Sequence, residues 1–129
     1  MIYLDSCLLI YAIEQDPLFG SRTVAALAAA APTRLAISSL AKLECLVKPM
    51  RDGHLVLQQR YEAALAQLHL LDMSDAVFVR AAELRARFGL KTPDALHLAC
   101  AQTHGCSALW THDDRLAKAG HGLAVNILA

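Results

Sequence analysis

The stretch Gly89-Leu-Lys-Thr-Pro-Asp-Ala-Leu-His-Leu-Ala-Cys-Ala-Gln-Thr-His104 organises the reading of the whole chain. Thr92 and Pro93 predict the start of a helix, a hydroxyl suited to capping followed by the imino acid that suits a first helical position. Residues 95–101 are apolar on nearly every side, so this helix is expected to be buried rather than to lie on the surface. Asp94 stands at its head, among the backbone N–H groups of the first turn that have no partner within the helix. A lone aspartate there need do no more than complement the helix dipole. Three further acids, Asp5, Glu44 and Asp113, also stand in contexts where a core would not want a charge, and the coincidence argues for a site.

A buried central helix needs a sheet and further helices around it. Met1 to Leu4 reads as a strand that ends at Asp5, and Ser6 to Glu14 as an apolar helix broken at Asp16-Pro17. An Ala-rich helix over Ser21 to Ala31 closes at Pro32, and a strand follows at Leu35 to Ile37. Ser38 or Ser39 is suited to cap a helix over Leu40 to Val47, which is expected to stop at Pro49. An amphipathic helix over His54 to Gln67 precedes a strand at His69 to Met73. The helix Asp75 to Phe88 carries an apolar stripe of Val77, Ala81, Leu84 and Phe88. After the central helix come a strand over Ser107 to Trp110, a corner at Thr111-His-Asp-Asp114, a short helix over Arg115 to Ala119 and a strand over Ala124 to Leu128. Strands alternate with helices throughout, which predicts the α/β class: a parallel sheet with helices on both faces.

The 129 residues suit one domain with one core, and a hydrophobic content of 56% supplies it. No apolar run approaches the length of about 20 residues that spans a bilayer. The first residues read as a strand, not as a signal peptide, so a soluble cytoplasmic protein is expected. Cys7, Cys45, Cys100 and Cys106 lie in apolar surroundings without C-x-x-C spacing, and the six histidines form no zinc-binding pattern. Buried thiols are therefore the better reading than a metal knuckle. Twelve basic and twelve acidic side chains balance, which is not the signature of a general nucleic-acid binder. Acids in apolar contexts, with Lys91, Arg115 and Lys118 facing solvent, are nevertheless compatible with an acidic pocket under a basic rim.

Asp5 and Asp113 both fall at strand-to-helix corners, and in an open α/β sheet ligands bind at the carboxyl ends of strands. Each is equally suited to a helix cap. Glu44 shares a helical stripe with Leu40, Ala41 and Val47, where an ionised carboxylate is costly unless paired or metal-bound. Lys48, one turn on, is its alternative partner. Carboxylates brought together repel, and a hard divalent cation relieves that repulsion. Oxygen ligands without convergent Cys or His suit Mg²⁺ or Mn²⁺. Ser6 and Thr111, beside two of these corners, are candidates to hold ligands or water from behind. His97 and His112 are both near enough in sequence to approach such a pocket, although a packed histidine is the simpler reading of each. Trp110 reads as core, and with aromatics at 5% base stacking is a poor prospect.

The combination of Leu4-Asp5-Ser6, Leu43-Glu44 with Leu46-Val47-Lys48-Pro49, Thr92-Pro-Asp-Ala-Leu-His-Leu-Ala99, and Trp110-Thr-His-Asp113 before Arg115-Leu116 resembles the PIN domains. Within them it is most similar to the VapC toxins of bacterial toxin–antitoxin pairs, from the first residue to the last strand. The resemblance implies a single domain over 1–129, a three-layer α/β/α fold with a mainly parallel sheet of four to five short strands. It also implies a Mg²⁺- or Mn²⁺-dependent endoribonuclease in which Asp5, Glu44, Asp94 and Asp113 are the metal-binding and catalytic acids. Ser6 and Thr111 match the family's small hydroxyl positions. Thr111-x-Asp113 fits the family spacing better than a pairing through Asp114. An RNA substrate, an antitoxin whose tail covers the acidic pocket, and a homodimer are implied with it. Lys91 and Arg115 are the candidate phosphate contacts.

Two other readings compete. A metal-dependent phosphohydrolase also places acids at strand ends, but a haloacid-dehalogenase type would want an acid where Cys7 stands, and no phosphate-binding glycine loop is present. A catalytically inert PIN-like module that binds RNA or protein would be expected to have lost at least one of the four acids.

Overall fold

The computed structural model describes residues 1–129, and every strand in it runs parallel to its neighbours. Five strands form one sheet: β1 (Ile2–Leu4), β2 (Leu35–Ser38), β3 (His69–Leu71), β4 (Ala108–Thr111) and β5 (Ala124–Asn126). Their order is β3-β2-β1-β4-β5. The chain starts in the middle strand, builds outward through β2 to β3, then crosses back to add β4 and β5 on the other side. β1 and β4 are therefore neighbours separated by most of the chain. Between them lies the place where the order reverses, which in open parallel sheets leaves a crevice at the carboxyl ends.

The two-residue period of β1 divides the core. Ile2 and Leu4 pack on one face with Ile37, Ala41, Cys45 and Tyr61, whereas Tyr3 packs on the other with Leu98, Leu109 and Leu116. The first face is covered by α1 (Ser6–Ile13), α3 (Ser39–Arg51) and α4 (Leu55–Leu65), with α2 (Gly20–Ala29) beyond α1. The second is covered by α5 (Asp75–Phe88), α6 (Thr92–Thr103) and α7 (Asp114–Ala119). The result is the expected three-layer α/β/α arrangement with helices on both faces. No helix is long and apolar enough to cross a membrane.

α6 is the buried helix its composition predicts. All seven residues from Ala95 to Ala101 are buried, and they pack against α5 and the sheet. On α5 the buried positions are Val77, Ala81 and Leu84, with Phe88 partly buried behind them. Gly89 ends α5 with φ +66, the left-handed conformation that a side chain disfavours, and its N–H donates to the Arg85 carbonyl at 2.9 Å. This turn delivers the chain into α6. All four cysteines are free; Cys45, Cys100 and Cys106 are buried, as their apolar surroundings suggested.

Three local expectations are corrected. α3 does not stop before Pro49 but runs through it to Arg51. Pro49 sits in the last turn, and its ring continues the buried stripe of Ala41 and Cys45; that burial offsets the one hydrogen bond its ring removes. Ser38 precedes α3 but makes no capping bond, because its hydroxyl is taken by Tyr3 at 2.7 Å. Thr92 is already helical, with Lys91 as the flanking residue and no side-chain cap at all. Pro93 still marks the first turn, where the absence of an N–H costs nothing.

Candidate metal centre

The β1–β4 pairing sets Leu4 opposite Trp110, so the residues that follow, Asp5 and Thr111, emerge side by side at the carboxyl ends of the two strands. The Asp5 backbone N–H donates to the Trp110 carbonyl at 3.0 Å. Asp5 flanks α1 but makes no capping bond. Its carboxylate instead accepts a hydrogen bond from the Thr111 hydroxyl, Oδ2 to Oγ1 at 2.7 Å, and the same Oγ1 accepts the Asp113 backbone N–H at 3.0 Å. Thr111 is fully buried and so fixes both acids from behind.

Asp113 behaves differently. It caps α7, its Oδ1 accepting from the N–H groups of Arg115 at 2.8 Å and Leu116 at 3.4 Å. One oxygen is thus committed to the helix and the other is left for the cleft. Asp114 does not line the cleft: its Oδ1 accepts from Asn126 Nδ2 at 2.8 Å, on the side of β5. Of the two corner aspartates, Asp113 thus caps its helix and Asp5 does not, and both line the cleft. Asp94 rises from the first turn of α6, and with Asp5, Asp113, Cys7, Tyr11 and His112 it lines a cleft of about 290 Å³.

Glu44 reaches the centre from α3. Lys48, its alternative partner, pairs with Glu14 at 3.0 Å instead. Glu44 Oε1 lies 2.6 Å from His97 Nε2, and the same nitrogen lies 3.9 Å from Asp5 Oδ1. Asp5, Glu44 and His97 each offer a ligand atom, and these atoms lie within 4.8 Å of one another. Asp5 thus belongs both to this group and to the cleft shared with Asp94 and Asp113.

His97 is the residue whose role the sequence concealed. It is 1% exposed, so it is the packed histidine its apolar neighbours suggest, yet what it packs against is the site. An ionised carboxylate only accepts, so Nε2 donates to Glu44. On the ring's other side Nδ1 meets the Tyr3 hydroxyl at 2.6 Å, and Tyr3 meets Ser38 at 2.7 Å. A buried line of three side chains from α6, β1 and the end of β2 therefore stands behind Glu44. Burial pushes the Tyr3 phenol far above its ordinary value, so it acts only as a neutral hydroxyl. Its sequence signal was weak: one histidine three residues after Asp94, inside an otherwise apolar run.

The charges explain what the group can hold. Burial by itself would raise the Glu44 pKa, but the hydrogen bond and charge of His97, with the Ser6 hydroxyl acting in the same direction, outweigh it and hold the carboxyl below its ordinary value. Asp94 moves the other way. Burial raises its pKa, and the negative charges of Asp113, Asp5 and Glu44 add to the rise, with His97 opposing them. No lysine or arginine forms an ion pair with any of the four acids. Cys7 is no nucleophile here, because burial and then the Asp5 charge push its thiol up to about 12. Clustered carboxylates without a lysine or arginine partner suit a hard divalent ion with oxygen ligands, as the donor types imply. Lys91 and Arg115 are exposed, and with Lys118 they line an adjoining cleft of about 480 Å³ that shares Asp94 with the first.

The PIN domain family model matches residues 2–122. The chain belongs to the PIN domain family. Solved structures agree in fold. A toxin–antitoxin complex from Klebsiella pneumoniae contains a chain that is 27% identical, with a TM-score of 0.82 and coverage of 98% of both chains. VapBC2 from Rickettsia felis, bound to a DNA fragment from its promoter, matches at 22% identity and a TM-score of 0.78, again over 98% of both. FitAcB from Neisseria gonorrhoeae matches at 19% identity, 0.78 and 98% of both. A comparison with curated proteins found no match. The likeness to PIN domains drawn from four short motifs therefore holds across the fold, and the PIN sheet brings the motif acids Asp5, Asp94 and Asp113 to one cleft, with Glu44 beside Asp5.

Proposed function

We propose that this PIN domain is a divalent-metal-dependent endoribonuclease and the toxin of a toxin–antitoxin pair. The observation that carries the reading is the convergence of Asp5, Asp94 and Asp113 on one cleft, with Glu44 beside Asp5 and no lysine or arginine paired to any of them. Asp5, Glu44, Asp94 and Asp113 would hold the ion, Mg²⁺ or Mn²⁺ by their oxygen donors. When bound, such an ion supplies a Lewis acid for a phosphate oxygen and for the attacking water.

The rest of the chemistry belongs to the chain. Thr111 holds the Asp5 carboxylate in one orientation, and His97 holds Glu44. A carboxylate not fully engaged by the ion would take the proton from the attacking water. Lys91 and Arg115, on the rim beside Asp94, are placed to meet the phosphates of a strand entering the cleft. Cleavage with departure of the 3′ oxygen leaves 5′-phosphate and 3′-hydroxyl ends.

Partners follow from the neighbours. The similar chain in the Klebsiella toxin–antitoxin complex supports an antitoxin for this one, and a homodimer in the cytoplasm belongs to the same proposal. On α3 the side chains Leu43, Val47 and Met50 repeat along one exposed face, and Leu55 and Val56 at the start of α4 are exposed as well. Unpaired apolar surface of this kind suits a protein partner. The reading is tested by incubating the purified protein, freed of any antitoxin, with mixed cellular RNA in Mg²⁺, Mn²⁺ or chelator, and sequencing the product ends. Metal-dependent cuts that an Asp94→Asn control lacks are expected. Folded protein that makes no cuts under any metal would leave a binding module as the reading.

A further inference from the structure

Aromatic side chains are few in this chain, and two of the three tyrosines, Tyr3 and Tyr61, are fully buried. The third is not. Tyr11 of α1, Phe19 just before α2 and His112 at the β4–α7 corner come from three separate segments and meet at one place. Ring centroids are 5.3 Å apart for Tyr11 and Phe19, 5.5 Å for Tyr11 and His112, and 4.4 Å for Phe19 and His112. All three rings are only half-buried, and Tyr11 and His112 line the same cleft as Asp5, Asp94 and Asp113. Composition argued against base stacking because Trp110 had no aromatic neighbour in sequence; the fold supplies a cluster that excludes Trp110 altogether.

The cluster is held rigid from several sides. The Tyr11 hydroxyl lies 2.8 Å from His112 Nδ1. The Asp16 carboxylate accepts the backbone N–H groups of Leu18 at 3.0 Å and Phe19 at 2.9 Å, which fixes the approach to Phe19. The His112 carbonyl accepts from Asn126 Nδ2 at 3.2 Å. His112 also sits between Thr111, which orients Asp5, and Asp113, which lines the cleft, so its backbone is anchored beside the acids. A cluster serving only to pack α1 against α2 has no need to line the cleft that holds the carboxylates. Preorganised aromatic surface beside a phosphate-cleaving centre suits an unstacked base, since every base has a π-face and ordering cost is already met.

We propose that Tyr11 and His112, backed by Phe19, form a wall that holds an unpaired nucleobase next to the phosphodiester in the acidic cleft. This rests on the nuclease reading and deepens it: Tyr11 and His112 are the contacts for an unpaired base, because bases stacked within a duplex cannot reach the wall. The contact is sequence-tolerant, so it selects for unpaired structure rather than for one base.

The test compares a short unstructured fluorescent oligoribonucleotide with the same strand made abasic at its central positions. Binding is followed by anisotropy in Ca²⁺, with strand integrity checked on a gel. The unmodified protein is expected to bind the base-bearing strand about ten-fold more tightly, the scale of one aromatic–base contact. Tyr11→Leu and His112→Ala are expected to reduce that ratio to about two-fold or less, and Tyr11→Phe, which keeps the ring, to preserve it. Equal affinities for the two strands, or a duplex bound as tightly as the single strand, would overturn the wall while leaving the nuclease reading intact. Failure to bind either strand, together with no cleavage of cellular RNA, would instead overturn the nuclease reading. The comparison on the unmodified protein does not depend on any variant folding.

Discussion

Replacing His97 separates its two hydrogen bonds, because glutamine and asparagine each reproduce one of them. The glutamine amide reaches the region of Nε2 and can still donate to Glu44; the asparagine amide reaches the region of Nδ1 and can meet only Tyr3. The contact at stake is a 2.6 Å hydrogen bond between a buried ring and a carboxylate held below its ordinary pKa. Hydrogen bonds to charged groups are worth about 1.5–3 kcal/mol. Converted at about 1.4 kcal/mol per decade, that is roughly 10- to 100-fold in affinity for an ion that Glu44 helps to hold, the range usual for residues behind a metal ligand. Calorimetric titration with Mn²⁺ reads this directly, and thermal unfolding of the metal-free protein reads the structural contribution separately. His97→Asn is expected to bind Mn²⁺ about 10- to 100-fold more weakly, and His97→Gln within a few-fold of the native protein. If both variants bind as the native protein does, or both lose affinity equally, then His97 does not act through Glu44 and the reasoning fails.

Other consequences follow from the same site. Asp94 has a folded pKa above its unfolded one, so its contribution to metal-free stability is greatest below the unfolded value and is lost as pH rises through the raised folded value. Melting the metal-free protein between about pH 4 and 7 should show Asp94→Asn gaining stability over the native chain as pH rises; no gain at neutral pH would argue against carboxylate repulsion there. Glu44 has the opposite sign: its contribution is present above the unfolded value and is lost as pH falls through the lowered folded one. Mg²⁺ or Mn²⁺ at about a hundred times its dissociation constant should stabilise the fold by about 2.7 kcal/mol, a rise in melting temperature that chelator reverses and Asp5→Asn removes. An unchanged shift in Asp5→Asn would place the ion elsewhere. Removing both rim cations, Lys91→Ala with Arg115→Ala, should lower the slope of log affinity against log salt for single-stranded RNA by about 1.4, at about 0.7 per phosphate contact. An unaltered slope would assign them to solvent.

Much of the architecture could be read without coordinates because local chemistry and global packing agree. The unbroken burial of α6 follows from residues 95–101 having no polar stripe, and the parallel sheet from short apolar runs alternating with helices. The disagreements sit where a side chain has a distant partner. Ser38 looks like a cap and is claimed by Tyr3, 35 positions away. Pro49 looks like a stop signal, yet α3 runs through it because the ring has a core to enter.

The four acids divide in the same way. Their presence, order and position at strand ends or helix heads are properties of the sequence alone, as is the inference that carboxylates in apolar contexts need a cation or a partner. Which of them meet was decided by strand order. The crossover sets β4 against β1, and only then does Thr111, 106 residues away, orient Asp5. The same crossover brings His112 to Tyr11, 101 residues apart, and α6 carries His97 to Glu44, 53 residues apart. Residue type and period report a side chain's own preferences within a turn or two of chain. Hydrogen-bond partners and neighbouring charges are properties of a place in space, and only the folded sheet brought these residues to that place.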